Sequence, residues 1–189
     1  MAGKPVLIAF GSNIDPLENL YRGLVLLHQA IGIQRVSTVW KTRALTDPNQ
    51  PEKREQEPDY YNGVVLVNDG VGDWPPLELR HRLRSIEHQC GRLRSQERYA
   101  PRTLDLDVVL MGPRIFAGDG MILPDPDLLH RPFIAIPCAE LVPDLVHPRH
   151  AMTMETLAKK MAKIPETMVP NHTASLRLAT IPQQMAGVP

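Results

Sequence analysis

The feature that most constrains the fold is a short apolar run followed at once by a longer amphipathic pattern. Residues 6–10 read Val-Leu-Ile-Ala-Phe, which is typical of a buried strand, and residues 11–13 read Gly-Ser-Asn, which is typical of a turn. Leucine and isoleucine then recur at helical spacing over residues 17–31. Asp15 and Glu18 have the spacing of a capping box at the start of that helix. The sequence therefore predicts a strand that leads directly into a capped helix.

The two patterns alternate along the rest of the chain, which favours a mixed fold. We predict strands at 33–42, 61–68 and 103–110, short strands near 115–116 and 121–123, and helices at 75–90, 132–141 and 153–164. Strands that alternate with helices but pair through hairpins indicate an α+β, ferredoxin-like sandwich, in which helices pack on a mainly antiparallel sheet. We assign residues 1–164 to a single domain and the weakly patterned residues 165–189 to a loosely held C-terminal tail.

Composition narrows the class of protein. The 189 residues are close to the usual length of one domain, and 21 Lys+Arg balance 21 Asp+Glu. A dedicated nucleic-acid binder usually carries a basic excess, and no apolar stretch approaches the ~20 residues that span a bilayer. The first residues do not resemble a signal peptide, and two cysteines cannot form a disulfide framework. We therefore expect a cytoplasmic monomer whose partners are small molecules, with neither nucleic acid nor membrane among them.

Two aspartates, Asp105 and Asp107, stand two residues apart in the predicted strand at 103–110. Residues two apart in a strand share a face, so both carboxylates point the same way, with Cα atoms about 6.6 Å apart. The alternate positions are expected to face the core: Leu104, Leu106, Val108 and Leu110. Paired oxygen ligands at this span suit Mg²⁺ in a two-metal phosphoryl-transfer site. The alternative to a metal site is that the two aspartates lie on the solvated outer face of an edge strand.

Arginine is concentrated just before this pair. The basic side chains in question are Arg80, Arg82, Arg84, Arg92, Arg94, Arg98 and Arg102. Guanidinium groups beside carboxylates that bind Mg²⁺ are typical of a nucleotide triphosphate site. The members in the predicted helix at 75–90 also fit a solvated helix face, whereas residues 92–102 fall in a loop, where so much like charge requires a partner. The sequence has no Gly-x-x-x-x-Gly-Lys-Ser/Thr motif, which excludes a P-loop enzyme.

Several motifs together resemble those of one known family. Residues 98–109, Arg-Tyr-Ala-Pro-Arg-Thr-Leu-Asp-Leu-Asp-Val-Val, closely resemble the signature of the 6-hydroxymethyl-7,8-dihydropterin pyrophosphokinases of folate biosynthesis. Residues 8–13 resemble that family's opening strand and turn, residues 58–62 its pterin-site strand, and residues 131–133 its later substrate loop. The resemblance extends from about Val6 to Pro148. It implies a ferredoxin-like fold and transfer of the β,γ-pyrophosphate of ATP to the hydroxymethyl group of the pterin, with release of AMP.

The resemblance also implies a role for particular residues. The implied catalytic residues are Arg92, Arg102, Asp105 and Asp107. Of these, the two aspartates would hold two Mg²⁺ ions, and the two arginines would reach the phosphates. The implied ATP contacts are Glu87, Arg94, Arg98, Val108 and Arg131. The implied pterin contacts are Thr42, Ala44, Leu45, Tyr60, Asn62 and Phe133. An amide that both donates and accepts, set beside aromatic faces, suits a flat polar bicyclic ring.

The residues alone, without the resemblance, are compatible with two other functions. Ferredoxin-like folds also occur as non-catalytic modules that bind RNA or small effectors, although two aspartates on a sheet face disfavour a polyanion. A different Mg²⁺-dependent nucleotide phosphotransferase could use the same aspartate pair. The reaction product separates these possibilities, because AMP supports the pyrophosphokinase. The chain also departs from the family at Arg84, Tyr99 and Asp125-Pro126, where Gln, Trp and a His-Tyr pair are common.

Overall fold

The computed structural model describes residues 4–44, 58–92, 100–161 and 164–184. Strands and helices alternate as the sequence predicts. In chain order they are β1 (Val6–Ser12), α1 (Pro16–Ile31), β2 (Ile33–Val36), β3 (Trp40–Thr42), β4 (Tyr60–Val67), α2 (Pro76–Gln89), β5 (Asp105–Met111), β6 (Phe116–Gly118), β7 (Met121–Leu123), α3 (Pro132–Leu141), α4 (Met154–Lys160), β8 (Val169–Pro170), α5 (His172–Ala179) and α6 (Ile181–Gln184). Within these residues, no helix combines the length and the apolar character needed to cross a membrane.

Six strands form one sheet in which every pairing is antiparallel. The order is β5-β1-β4-β3-β8, and β2 pairs with β4 beside β3. When β2 and β3 are counted as one broken strand, the elements follow one another along the chain as β1-α1-β2/β3-β4-α2-β5. In the sheet these strands lie in the order β5-β1-β4-β2/β3, which is the ferredoxin-like order. The α+β fold with a mainly antiparallel sheet is therefore confirmed. The β6–β7 hairpin forms a separate two-stranded sheet.

The strand predicted at 33–42 is divided into two because a side chain interrupts its ladder. The Ser37 N–H donates to the Val64 carbonyl at 3.0 Å, but the Val64 N–H donates to the Ser37 hydroxyl oxygen at 2.9 Å. A hydroxyl thus replaces a main-chain carbonyl as the acceptor, and regular pairing resumes only at Trp40.

The sheet is covered on both faces, so alternate residues of its central strand enter two different cores. Val6, Ile8 and Phe10 of β1 belong to a core built with α1, α2, α5 and α6. Leu7 of β1 and Val64 of β4 belong to a second core built with α3 and α4. We call these the α1 face and the α3 face of the sheet. Two buried faces explain why the first strand is almost wholly apolar.

A bulge in β5 corrects one expectation about its faces. Leu7 pairs with Leu110, but Ile8 pairs with Val108, which leaves Val109 as the extra residue. The bulge turns Leu110 to the α3 face, so the prediction that it shares a face with Leu106 is wrong. Both aspartates precede the bulge and keep their common face, opposite Ala9 and Gly11 of β1.

The C-terminal residues also differ from expectation. We predicted a loosely held tail from residue 165, yet β8 pairs with β3 and residues 172–184 form α5 and α6. Ala174, Leu178 and Ile181 are buried in the core of the α1 face. The expectation of a loosely held segment is therefore wrong for these helices, although the placing of a domain boundary near 164 stays a prediction. The helix predicted at 153–164 is α4, which ends at Lys160.

The start of α1 is stabilised differently from the prediction. Asp15 has a left-handed backbone with φ of 39° and makes no capping hydrogen bond through its side chain, because a capping residue needs an extended backbone. The capping box is therefore wrong. Glu18 instead pairs with Arg177 of α5, whose Nη2 lies 3.0 Å from its Oε2. This ion pair ties the C-terminal segment to the first helix.

Candidate active site

A cavity of about 460 Å³ lies on the α3 face, at one end of the sheet and next to the start of α3. Antiparallel pairing brings the start of β5, the end of β1, the start of β4 and the end of β3 to this same end. The floor of the cavity comes from Gly11 and Ala9 of β1, which lie between β5 and β4. Side chains from the flanking strands therefore face one another across it.

One side of the cavity is lined by Arg102, Asp105 and Asp107, and we call these residues, together with Arg92, the charged wall. Arg92 and Arg102 each form a charge-assisted hydrogen bond to the Asp105 carboxylate, one to each of its oxygens. Arg102, Asp105 and Asp107 line the cavity, whereas Arg92 lies behind them and is largely buried. The structure thus brings all four predicted catalytic residues together.

Asp107 lies in a concentration of negative charge. Enclosure by the surrounding protein raises the pKa of its carboxyl to about 7, with further contributions from Asp105, Glu87 and Asp125 that Arg92 partly offsets. The side chain still reaches water inside the cavity. A group with this pKa exchanges its proton near neutral pH, and a bound cation would favour its carboxylate form.

Glu87 supports the charged wall from beneath. Its side chain is 2% exposed, and its carboxylate accepts a hydrogen bond from the Leu106 N–H at 2.9 Å and another from Arg92. The Arg92 N–H in turn donates to the Glu87 carbonyl at 3.0 Å. The resemblance to the family implies an ATP contact at Glu87, but here the residue does not line the cavity and instead fixes Arg92 against β5.

The opposite side, which we call the amide wall, consists of Thr42, Tyr60, Asn62 and Phe133, all of which line the cavity. The Asn62 amide donates to the Thr42 hydroxyl at 2.7 Å, which fixes the plane of the amide. The pairing of Trp40 with Asn62 and of Thr42 with Tyr60 sets this contact. The predicted pterin residues that the structure describes are thus assembled on one wall, except Ala44, which is buried outside the lining.

Gly11 leaves room for that amide. A β-carbon at this position would lie 2.8 Å from the Asn62 Oδ1 and 3.7 Å from the Tyr60 ring. The first distance is shorter than real contacts, so any larger residue would displace the Asn62 side chain. Sequence reasoning did not select Gly11, because its importance depends on its pairing with Asn62 in β4, 51 positions later in the chain.

Arg131 and Phe133 enter the cavity at the start of α3. The Arg131 guanidinium lies 5.7 Å from the centre of the Phe133 ring, and its Nε lies 2.7 Å from Asp127 Oδ2. Asp127 and Asp125 also line the cavity. In the sequence Asp125 stands out only as a departure from the family, and Asp127 does not stand out at all. They follow β7 in the chain and reach the site only through the turn that precedes α3, a position that no local pattern indicates.

A second cavity of about 210 Å³ adjoins the first, with Asp107 and Asp125 lining both. Its apolar lining includes Leu106, Val108 and Met121. Burial raises the pKa of Asp125 above its usual value. Three further predicted site residues, Leu45, Arg94 and Arg98, lie outside the described residues.

Paired carboxylates and arginines that face an amide and aromatic rings define a transferase site, in which a phosphate-containing group passes to a flat polar substrate. A model of the family described as 7,8-dihydro-6-hydroxymethylpterin-pyrophosphokinase (HPPK) matches residues 7–143. The chain therefore belongs to the HPPK family, which confirms the prediction of an ATP-dependent pyrophosphokinase that acts on a hydroxymethyldihydropterin in folate synthesis.

Curated relatives and solved structures agree with this assignment. The chain is 35% identical over 158 residues to a 2-amino-4-hydroxy-6-hydroxymethyldihydropteridine pyrophosphokinase of Synechocystis, covering 82% of this chain and 75% of the relative. It is 34% identical to the Haemophilus influenzae protein of the same name, covering 82% and 91%. The Plasmodium falciparum HPPK-DHPS structure with pteroate has a TM-score of 0.66 at 12% identity, covering 89% of this chain and 48% of that chain, and it shows the fold alone. This chain thus spans about half of that longer protein.

Proposed function

We propose that the two walls of the cavity divide the two substrates, with the hydroxymethyldihydropterin on the amide wall and the triphosphate of ATP on the charged wall. This assignment rests on the observation that a single cavity has both walls. Asn62 lies on β4 and Asp105 on β5, and these two strands flank β1 in the sheet. Both side chains face Gly11 of β1 in the ladder. A hydroxyl group of the pterin and the phosphates of ATP would meet between them.

The amide wall suits the pterin because its donor is already oriented. Asn62 has two amide hydrogens and one carbonyl oxygen, and one hydrogen is engaged by Thr42. The amide therefore offers the other hydrogen and the oxygen to the polar edge of the ring. Tyr60 and Phe133 supply aromatic faces from β4 and α3, which suits a flat bicyclic ring.

The donor set of the charged wall fits Mg²⁺. Asp105 and Asp107 present two carboxylates to the cavity, and among the described ranges no cluster of three or more His, Cys, Asp or Glu could enclose a metal ion. Mg²⁺ is usually held in this way, by one or two carboxylates together with water and substrate phosphates. Asp105 and Asp107 would hold the ions. When bound, Mg²⁺ neutralises charge on the triphosphate and lowers the pKa of a coordinated hydroxyl.

The arginines of the charged wall are placed to exchange partners. Arg92 and Arg102 engage the Asp105 oxygens that a metal ion would need. Phosphate oxygens offer guanidinium groups an equivalent set of acceptors. Binding of Mg²⁺–ATP would therefore shift both arginines from Asp105 to the phosphates, where their charge stabilises the transferring group. Glu87 retains Arg92 near this position.

The second cavity is the place for the adenosine. Its apolar residues, Leu106, Val108 and Met121, suit a purine ring. Its shared border at Asp107 and Asp125 connects it with the charged wall. Val108, for which the resemblance implies an ATP contact, is among the lining residues. Asp125, where the chain departs from the His-Tyr pair that is common in the family, lies at the border between the base and the phosphates. Arg131, in the first cavity, would contact the phosphates rather than the base.

Product analysis tests the proposal. The purified chain, incubated with ATP, Mg²⁺ and 6-hydroxymethyl-7,8-dihydropterin, should form AMP and the pterin diphosphate in equal amounts, and omission of the pterin should abolish AMP formation. Phosphorus NMR distinguishes the products. ADP as the product would indicate a simple phosphotransferase, and free pyrophosphate would indicate a nucleotidyl transferase. Either result would contradict the proposal.

A further inference from the structure

The C-terminal segment lies outside the residues that match the family model, yet it contacts the strand that supplies Thr42. The match ends at residue 143, whereas β8 begins at Val169. Within the sheet, β8 pairs with β3 on the side opposite β4, with Lys41 facing Val169. The three-residue strand β3 is therefore held between the site strand β4 and the C-terminal segment.

Two hydrogen bonds fasten Val39, the residue that precedes β3, and a third joins their two partners in the C-terminal segment. The Asn171 N–H donates to the Val39 carbonyl at 2.8 Å, and the Val39 N–H donates to the Ser175 hydroxyl oxygen at 2.8 Å. The Ser175 hydroxyl donates in turn to the Asn171 carbonyl at 2.7 Å. Both main-chain polar groups of Val39 are thus bonded to the C-terminal segment. We call this arrangement the Val39 clamp.

The clamp rests on a rigid support. The Asn171 side chain accepts a hydrogen bond from the Ala174 N–H at 3.0 Å and so caps α5. Ala174 and Leu178 are buried in the core of the α1 face, and Arg177 pairs with Glu18 of α1. Because α5 is fixed to the core, the position of Val39 is fixed relative to the whole sheet.

Val39 is three residues before Thr42, whose hydroxyl orients the Asn62 amide. We propose that the Val39 clamp positions β3 so that Thr42 holds Asn62 in its productive orientation, and that Asn171 and Ser175 are therefore positioning residues for pterin binding. The inference rests on the assignment of the amide wall to the pterin. It gives the C-terminal segment a part in substrate affinity, not only in stability.

Other contacts hold the same region, so loss of the clamp should leave the fold intact. The Thr38 N–H donates to Glu140 of α3 at 2.9 Å, and Lys41 pairs with Asp59 at 3.0 Å. Together with the β3–β4 ladder, these contacts hold β3 on the sheet and keep its register, so loss of the clamp should shift Thr42 only slightly. A change at Ser175 should therefore alter ligand affinity by a graded amount, without unfolding the chain.

The test compares Ser175→Ala with Ser175→Thr, which retains the hydroxyl. A second control is Thr180→Ala, which removes a hydroxyl that bonds within the same segment, to the Arg177 carbonyl. Calorimetry with Mg²⁺ and a non-hydrolysable ATP analogue measures pterin affinity, and steady-state kinetics gives kcat and both KM values. Ser175→Ala should raise the pterin Kd and KM about three- to tenfold, the usual cost of one hydrogen bond, while kcat and the KM for ATP stay within about twofold. Ser175→Thr and Thr180→Ala should resemble the unchanged chain.

The outcomes separate this inference from the proposed function. If the unchanged chain forms no AMP with the pterin, the proposed function fails first. If it is active but Ser175→Ala binds the pterin normally, or weakens pterin and ATP equally, the Val39 clamp is not a positioning device. Should Ser175→Ala fold poorly, Ser175→Cys provides a second measurement, because it keeps the size of the side chain with a weaker acceptor. Its pterin KM should lie between those of the alanine variant and the unchanged chain, and a normal value would overturn the inference.

Discussion

The two walls of the cavity are held in place by different forces. On the charged wall, two guanidinium groups share one carboxylate, and a buried glutamate holds one of the guanidinium groups from beneath. On the amide wall, a neutral hydrogen bond of 2.7 Å orients Asn62, and main-chain pairing between β3 and β4 sets its position. The charged wall therefore depends on the balance of charges, and the amide wall depends on shape and register.

This difference predicts different responses to perturbation. Interactions between charges change with protonation and with bound ions. Neutral hydrogen bonds within a sheet change mainly when an atom is moved or removed. Changes on the charged wall should therefore affect turnover, and changes on the amide wall should affect the affinity for the pterin.

The largest effect should follow removal of a carboxylate from the charged wall. Asp107→Ala should lower kcat at least about 10²- to 10³-fold, because it removes a ligand of the Mg²⁺ ions that would offset the negative charge of the transferring group. Pterin affinity should change little. Asp144→Ala, at an exposed position after α3, serves as a control for loss of an aspartate. Mg²⁺-dependent turnover of Asp107→Ala within a few-fold of the unchanged chain would exclude Asp107 as a metal ligand.

On the amide wall, Asn62→Ala should weaken pterin binding by about 1–3 kcal/mol, because polar atoms of the ring lose a buried partner. ATP affinity should change much less. Thr42→Val, which keeps the amide but removes the hydroxyl that orients it, should produce a smaller loss in the same direction. Calorimetry for both ligands makes the comparison, and equal losses for pterin and ATP in Asn62→Ala would place Asn62 outside the pterin site.

The residue pattern alone predicts the shared face of Asp105 and Asp107 on the charged wall, whereas the amide wall follows only from the resemblance to the family, and the reason is physical. Asp105 and Asp107 share a face because of the local geometry of one strand, and this holds wherever the strand pairs. The bulge that turns Leu110 to the other face depends on the register with β1, which no local pattern specifies. The same applies to Gly11, whose role arises only from its pairing with Asn62.

The C-terminal segment shows the same limit. Its strand has two residues, one of them Pro170, and its buried positions are spread over two short helices. Neither feature gives a strong periodic signal. The segment folds because it completes the edge of the sheet beside β3 and the core beside α1. Both of these partners are distant in the sequence, so the tertiary context decides its structure.

A smaller effect should follow Gly11→Ala, which tests whether shape controls the amide wall. The new methyl group would displace the Asn62 amide, so the pterin Kd should rise about three- to tenfold, near the low end of the usual cost of overpacking. Gly70→Ala is the matched control, because a β-carbon there meets no atom within 4 Å. The double variant Gly11→Ala/Asn62→Ala should bind no worse than Asn62→Ala alone, since both changes act through one amide. Additive losses would show that Gly11 acts by another route.

The smallest effect concerns the stability of the metal-free chain and applies only to the charged wall. The pKa of Asp107 is raised to about 7 in the folded protein, above its ordinary value of 3.8 in an unfolded chain. Between these values the folded state binds more protons than the unfolded state, so the free energy of unfolding should fall as the pH rises from about 4 to 7. Because water still reaches the side chain, we expect a contribution below about 1 kcal/mol.

Asp107→Asn should remove this part of the pH dependence and make the metal-free chain slightly more stable at pH 8, whereas Asn62→Ala should leave the slope unchanged. Urea unfolding at several pH values in the presence of EDTA measures both variants. An unchanged slope in Asp107→Asn would mean that Asp107 titrates normally and that its neighbours do not concentrate negative charge on it.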